Sequence, residues 1–219
     1  MNERAGQTRV RALDLALSIL TAPIWLTILA IIAVAVLVSS GRPIWFTQTR
    51  TGRGRAPFTM VKFRTMTPGD NPLIPEATRI TPIGRFLRRT SLDELPQLLN
   101  VLIGDMSLVG PRPMLPELSD RVGRRGGSRF LVRPGLTGLA QINGRNSISW
   151  DARLIFDQRW VDGIGIRLAL RILAHTARVV ASGQGIDGHD PQDRLIMGAE
   201  LDTHTAADPQ PELDRSPVA

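Results

Sequence analysis

Thr90-Ser91-Leu92-Asp93-Glu94-Leu95-Pro96-Gln97-Leu98-Leu99-Asn100 places two adjacent carboxylates at the start of an amphipathic segment. Leu95, Leu98, Leu99 and Leu102 recur at i, i+3, i+4 and i+7, the spacing of one buried helical face. Pro96 has no N–H, so it belongs in or near a first turn, where that donor is unbonded anyway. Asp93 and Glu94 then fall in the first turn or its cap, approached by Arg85, Arg88 and Arg89. Two readings are open here. Ser91-x-x-Glu94 fits a capping box, in which Glu reaches back to the cap residue's N–H, and acids favour helix N-termini. Alternatively the pair is a nucleophile beside a metal ligand or base. A helix N-terminus favours phosphate, and an aspartate can attack phosphorus to give a covalent intermediate.

Composition narrows the choice. The 219 residues suffice for one sizeable domain. The absence of cysteine excludes disulfides, thiol nucleophiles and thiolate zinc sites. The net charge is +7, and the tail after Gly198 is acidic, so the preceding chain is more basic than the whole. That charge suits nucleic acid, anionic lipid or phosphorylated small molecules. With 5% aromatic residues and no Tyr, a base-stacking nucleic-acid platform is disfavoured. Lys62 is the only lysine. His175, His189 and His204 are scattered and suggest no metal cluster.

Working outward, Leu15 to Val38 runs without a charge, long enough to span a bilayer. Pro23 interrupts it, so a kink or break is expected there. Arg9 and Arg11 precede the run, and Arg42, Arg50, Arg53 and Arg55 follow it, which pulls both ends toward the cytoplasm. A helix broken at Pro23 that enters and leaves by one face satisfies both ends; an ordinary kinked span is the alternative. Ser18 and Thr21 are near enough to bond freed backbone groups. Trp25 and Trp45 are candidates for the bilayer interface.

Pro43 to Met66 reads as a β-hairpin, with Lys62 and Arg64 on one strand face. Two cations projected together could clamp a diphosphate, or simply be solvated. Residues 67–82 read as a loop, and Ile83 to Arg89 as a basic amphipathic helix. The central helix ends near Gly104. In Pro111-Arg112-Pro113 the flanking rings restrict the backbone, either to aim a guanidinium at phosphate or to form a rigid turn. Arg133 opens a Gly-punctuated loop running to Arg145. Helices follow over Trp150 to Trp160 and Ile164 to Ala181. The latter has Arg167, Arg171 and Arg178 on one face and Ile166, Leu170, Leu173, Ala177 and Val180 on another.

Lys62 to Met66, Thr90 to Asn100, Gly104 to Pro113 and Arg133 to Asn146 occur in the order and spacing of the bacterial sugar transferases. These are the small monotopic polyprenol-phosphate phosphoglycosyl transferases, and the chain resembles them from Val10 to about Val180. The break here is Ala22-Pro23 where the family often has Ser-Pro.

The resemblance implies an α+β, mostly α fold. A re-entrant membrane helix broken at Pro23 occupies 1–42, a cytoplasmic catalytic domain with a β-hairpin and interfacial helices 43–185, and an acidic, disordered tail 186–219. It implies a monotopic enzyme on the cytoplasmic face of the inner membrane. The reaction moves a phosphosugar from a UDP-sugar to polyprenol (undecaprenyl) phosphate and releases UMP, the first membrane step of glycan, exopolysaccharide or O-antigen assembly. Asp93 would attack the β-phosphorus, and Glu94 would hold Mg²⁺ or handle a proton. Pro111, Arg112 and Pro113 would contact the nucleotide sugar, with Lys62, Arg64 and Arg133 as further substrate contacts. Arg88 would meet the lipid phosphate, and Asp157 matches an acidic position on a later helix. Membrane lipid is an expected partner, nucleic acid is not, and a homo-oligomer is compatible. The competing reading is a non-catalytic membrane-bound scaffold of a polysaccharide assembly complex.

Overall fold

The computed structural model describes residues 3–67, 76–123, 126–144 and 148–182. The acidic tail, the middle of the 67–82 loop, Arg124, and the Arg145–Asn146 end of the last motif lie outside the described residues.

The apolar run splits where Pro23 requires. Helix α1 covers Glu3–Leu20 and α2 covers Ala22–Ser40, with Thr21 between them and Pro23 in the first turn of α2. The hydroxyl of Thr21 donates to the Leu17 carbonyl at 2.7 Å, and the Trp25 indole N–H donates to the Ser18 carbonyl at 2.9 Å. Trp25 is therefore buried at the break rather than standing as an interfacial anchor. Trp25, Ile32 and Val36 form an inward stripe on α2, while Ile24, Ile31, Val34 and Val38 face outward. By length and composition α2 can cross a membrane.

Helix α1 is docked onto the same body. Asp14 is buried and accepts from the Ser107 hydroxyl at 2.8 Å and the Leu108 N–H at 3.0 Å. Arg11 donates to the carbonyls of Val101 and Leu102 at 2.5 and 3.0 Å. Val10 joins the core with Val101, Met106, Val109, Trp160 and Ile172.

Strands β1 (Trp45–Thr51) and β2 (Pro57–Phe63) pair antiparallel from Trp45↔Phe63 to Thr51↔Pro57. This is the expected hairpin. Because β2 ends at Phe63, Arg64 leaves the strand. Its guanidinium donates to the carbonyls of Ser40, Gly41 and Arg42, capping the end of α2. A cation suits that position, where helix carbonyls lack partners and the dipole is negative. The expected Lys62–Arg64 clamp does not form.

Helices α3 (Glu76–Arg79) and α4 (Pro82–Thr90) follow. The Gly84 N–H donates to the Thr81 hydroxyl at 3.0 Å, an N-cap, and Ser91 terminates α4 at φ 57°. A 3-10 turn, Leu92–Glu94, leads into α5, Gln97–Ile103, with Pro96 just ahead of it. Only Leu98 and Val101 of α5's apolar residues are fully buried, and Leu99 is 42% exposed. The expected Leu face is rotated because Asn100 turns inward, bonding the Thr59 carbonyl at 2.8 Å and accepting from the Val61 N–H at 3.4 Å.

Strands β3 (Ser107–Val109) and β4 (Gly135–Thr137) pair in parallel, although the Gly-punctuated pattern marks the second segment as a loop. A Cβ on Gly135 would lie 2.0 Å from the Gly110 nitrogen, so only glycine allows this approach. Between them lies α6, Pro116–Arg121. The described residues close with α7 (Leu139–Ile142), α8 (Trp150–Asp162) and α9 (Ile166–Ser182). The inward stripe of α9 runs through Ala169 and Ile172, not Ile166 and Leu170, which are exposed. Thr176 fixes this rotation by bonding the Thr137 hydroxyl at 2.8 Å.

Candidate active site

A cavity of about 980 Å³ opens between β2, the 3-10 turn, the Pro-Arg-Pro segment and α7 to α9, and Lys62, Arg88, Asp93, Glu94, Arg112 and Asp157 all line it. Glu94 is its electrostatic centre. Its Oε1 accepts from Lys62 Nζ at 2.5 Å and from Arg112 Nη2 at 2.7 Å. Burial pushes the Glu94 carboxyl up, but Arg112 and Lys62 outweigh that and hold it well below the usual carboxylate range. Glu94 thus faces across to β2 instead of back to Ser91. The Ser91 side chain likewise makes no cap hydrogen bond to the turn, so the capping box is not formed.

Asp93 has the opposite environment. It is buried, yet among the described residues its carboxylate makes neither an ion pair nor a hydrogen bond. Burial first, and the Glu94 charge second, push it up to about 6; Lys62, Arg112 and Arg88 oppose the shift. Two neighbouring carboxylates are thereby driven apart in acidity. One is held by cations, and the other keeps its lone pairs free.

The turn carrying Arg112 is held from below. Pro111 and Pro113 are buried, and the Arg112 side chain reaches out at 43% exposure. Arg129 donates to the Arg112 carbonyl through Nη2, and its Nη1 lies 3.2 Å from Asp157. Burial pushes Asp157 up to about 6 against the pull of Arg129 and Arg153. Asp157 thus joins the site through Arg129. Arg88 donates from Nε to the Thr65 hydroxyl at 2.8 Å.

Two expected contacts sit elsewhere. The Arg64 guanidinium is engaged with the end of α2, although the residue still borders the cavity. Arg133 donates to the Gly104 carbonyl at 2.7 Å and faces a separate small cleft with Arg11 and Asp14. Other residues were missed from sequence. Arg50 lines the cavity and donates to Gln48 Oε1 at 2.6 Å and the Pro113 carbonyl at 3.3 Å. Burial first and the Arg112 charge second pull its guanidinium down to about 10. The alternation of Gln48 and Arg50 on one strand face was the available signal, masked by reading Arg50 as a membrane flank. Arg129 and Gln141 carried no local signal.

Among the described residues there is no cluster of three or more potential metal ligands. Glu94 Oε2 is the less engaged oxygen of its carboxylate, accepting one long hydrogen bond from Arg112 Nη1 at 3.4 Å. One such oxygen fits Mg²⁺, which keeps waters and commonly takes its other ligands from substrate phosphates.

A free, buried aspartate stands beside a cation-bound glutamate in a cavity lined by several arginines. The chain belongs to the bacterial sugar transferases, whose family model matches residues 6–183. It is 45% identical over 175 residues to the uncharacterized sugar transferase EpsL of Bacillus subtilis (strain 168), covering 76% of this chain and 87% of EpsL. It is 34% identical over 187 residues to the exopolysaccharide production protein ExoY of Rhizobium meliloti (strain 1021), covering 76% and 81%. It is also 46% identical over 148 residues to the UDP-glucose:undecaprenyl-phosphate glucose-1-phosphate transferase of Caulobacter vibrioides, covering 64% of this chain but 55% of that enzyme.

Proposed function

We propose that this protein transfers a phosphosugar from a UDP-sugar to polyprenol phosphate, with Asp93 as nucleophile. The observation that carries the reading is the uncommitted Asp93 carboxylate beside a Glu94 tied to Lys62 and Arg112. The names of the Caulobacter relative and of a Salmonella undecaprenyl-phosphate galactose phosphotransferase support the donor and acceptor classes.

In the first step an Asp93 oxygen bonds the β-phosphorus of the donor, and the bond from that phosphorus to the bridging oxygen breaks, releasing UMP. In the second, an oxygen of the lipid phosphate bonds the same phosphorus and the bond from that phosphorus to the Asp93 oxygen, an acyl phosphate, breaks. Asp93 returns to a carboxylate, and the lipid leaves as a diphosphate sugar. Lys62 and Arg112 meet charge that develops on the diphosphate, and Arg88 and Arg50 add cationic character to the cavity walls. Glu94 Oε2 would hold Mg²⁺, which would neutralise diphosphate oxygens when bound.

The lipid acceptor fits a membrane-face site. Helix α1 packs on α5, β3 and α9, while the inner stripe and C-terminus of α2 return to the same domain. This supports a helix pair that enters and leaves the cytoplasmic face of the inner membrane, broken at Pro23, because a straight span would carry α2 away from the domain.

The test is to incubate purified protein with UDP-sugar labelled in the sugar, without acceptor, and map the adduct by mass spectrometry. Label on Asp93, with UMP released in equal amount, is expected. No adduct, in protein that still forms product once polyprenol phosphate is added, or an adduct elsewhere, overturns the mechanism.

A further inference from the structure

We infer that Gln141 reads the nucleobase end of the donor, its side-chain amide pairing with the imide edge of uracil; this rests on the donor reading proposed above. Gln141 stands on α7, is 8% exposed and lines the cavity that holds Asp93. Among the described residues its Nε2 and Oε1 are both without a hydrogen-bond partner. Leaving a buried amide unpaired at both ends is costly, and native proteins keep few such groups. The amide lies over Gly138, where a Cβ would come within 2.7 Å of Oε1. It gives up no hydrogen bond when it turns toward a ligand.

Placement selects the base over the sugar. The turn carrying Asp93 packs on α4 and β2, whereas α7 packs on α8 and α9, so amide and nucleophile stand on different walls of one chamber. A donor with its β-phosphorus at Asp93 keeps its sugar on that phosphorus. Its base lies beyond the α-phosphate and ribose, toward another wall. Leu136, Ala140, Ile142, Leu173 and Val179 also line the chamber and are apolar. Such walls suit the flat faces of a base, with one amide for its polar edge. A sugar would leave hydroxyls unpaired against them. Uracil offers an N–H beside a carbonyl, and a glutamine amide offers the matching acceptor and donor side by side.

The test is calorimetric binding to the full chain in lipid nanodiscs, with UMP, UDP-glucose, CMP and ribose 5-phosphate as probes. Gln141→Leu should weaken UMP and UDP-glucose by the same factor, about tenfold or more, and leave ribose 5-phosphate within about twofold. Its melting temperature should equal or exceed that of the natural protein, because an apolar side chain of similar size removes the unpaired amide. Gln141→Glu, which only accepts, should weaken UMP more than CMP, whose base edge carries an amino donor. Unchanged UMP affinity in the leucine variant overturns the inference, as does a loss confined to UDP-glucose or a lowered melting temperature with the UMP to ribose 5-phosphate ratio intact. A natural protein that binds neither UMP nor UDP-glucose removes the donor reading itself. Binding by the natural protein with indifferent variants removes Gln141 alone.

Discussion

Lys62 Nζ lies 2.5 Å from Oε1 of Glu94, so the chain's one lysine and the second carboxylate of the dyad are locked together across β2 and the 3-10 turn. The lock leaves Asp93 as the member of the dyad that titrates near neutrality. Its carboxyl sits at about 6, raised by burial and then by Glu94, so the attacking form is lost as pH falls through that value. UMP release should therefore fall about tenfold per pH unit below about 6 and level off above about 7. Glu94→Gln removes the charge that raises Asp93 and releases Lys62 and Arg112 to act on it. The residual activity of that variant should have its acid limb at lower pH. A pH–rate profile of both proteins checks this; an unmoved limb in Glu94→Gln counts against Asp93 as the titrating group.

The buried Arg129–Asp157 pair yields a second expectation. Asp157→Asn leaves the Arg129 guanidinium buried without a counter-charge, a loss of about 3–5 kcal/mol. Arg129→Met combined with Asp157→Asn removes the paired guanidinium along with its counter-charge, leaving only Arg153 without Asp157, and should be more stable than Asp157→Asn alone. The double variant should still be slow, because the Arg112 carbonyl has lost its donor and the guanidinium above it is less well aimed. Thermal unfolding of the single and double variants, beside UMP release, separates the two effects. A double variant less stable than Asp157→Asn would contradict the buried-charge account.

Much of this was legible in the chain. The break at Pro23, the hairpin, α4, α8 and α9 all follow from local signals that the structure obeys. Local pattern left capping or catalysis open for Asp93–Glu94, and a rigid turn or a phosphate contact open for Arg112; what the structure adds is that Arg112 Nη2 lies 2.7 Å from Glu94 Oε1. Three things were not legible. Capping and catalysis give the same Ser91-x-x-Glu94 pattern, and only the position of Lys62 decides where Glu94 turns. Strand alternation puts Lys62 and Arg64 on one face, but the strand stops at Phe63 and the free carbonyls of α2 take the arginine. Asn100 in place of Leu99 on the inner face of α5 depends on unpaired groups of β2, which lie far away in sequence.

The place of Arg64 is itself testable. Its guanidinium meets three carbonyls at the end of α2, so Arg64→Met should destabilise the fold by roughly 2 kcal/mol or more. The UDP-sugar KM of the folded fraction should change by less than about threefold, since the missing group held the helix and not the diphosphate. Thermal unfolding in nanodiscs and steady-state UMP release measure the two quantities. A large rise in donor KM with an unchanged melting temperature would return Arg64 to the substrate.

Gly84 controls how closely α4 approaches the segment after β2. A Cβ there would lie 2.0 Å from the Thr65 carbonyl oxygen and 2.8 Å from its Cα, and the obstacle is backbone, which cannot swing aside. Gly84→Ala must therefore push α4 outward. The same movement breaks the Arg88–Thr65 hydrogen bond and shifts the turn that begins at Ser91. Forced overpacking of this kind costs about 1–3 kcal/mol, and more where backbone must move. Helix propensity alone would favour alanine by about 1 kcal/mol, so the two effects have opposite signs and the steric one is larger. The variant should unfold at a lower temperature and lose most of its UMP release even where it remains folded. An alanine variant with natural melting and turnover would mean that α4 does not pack as closely as the structure places it.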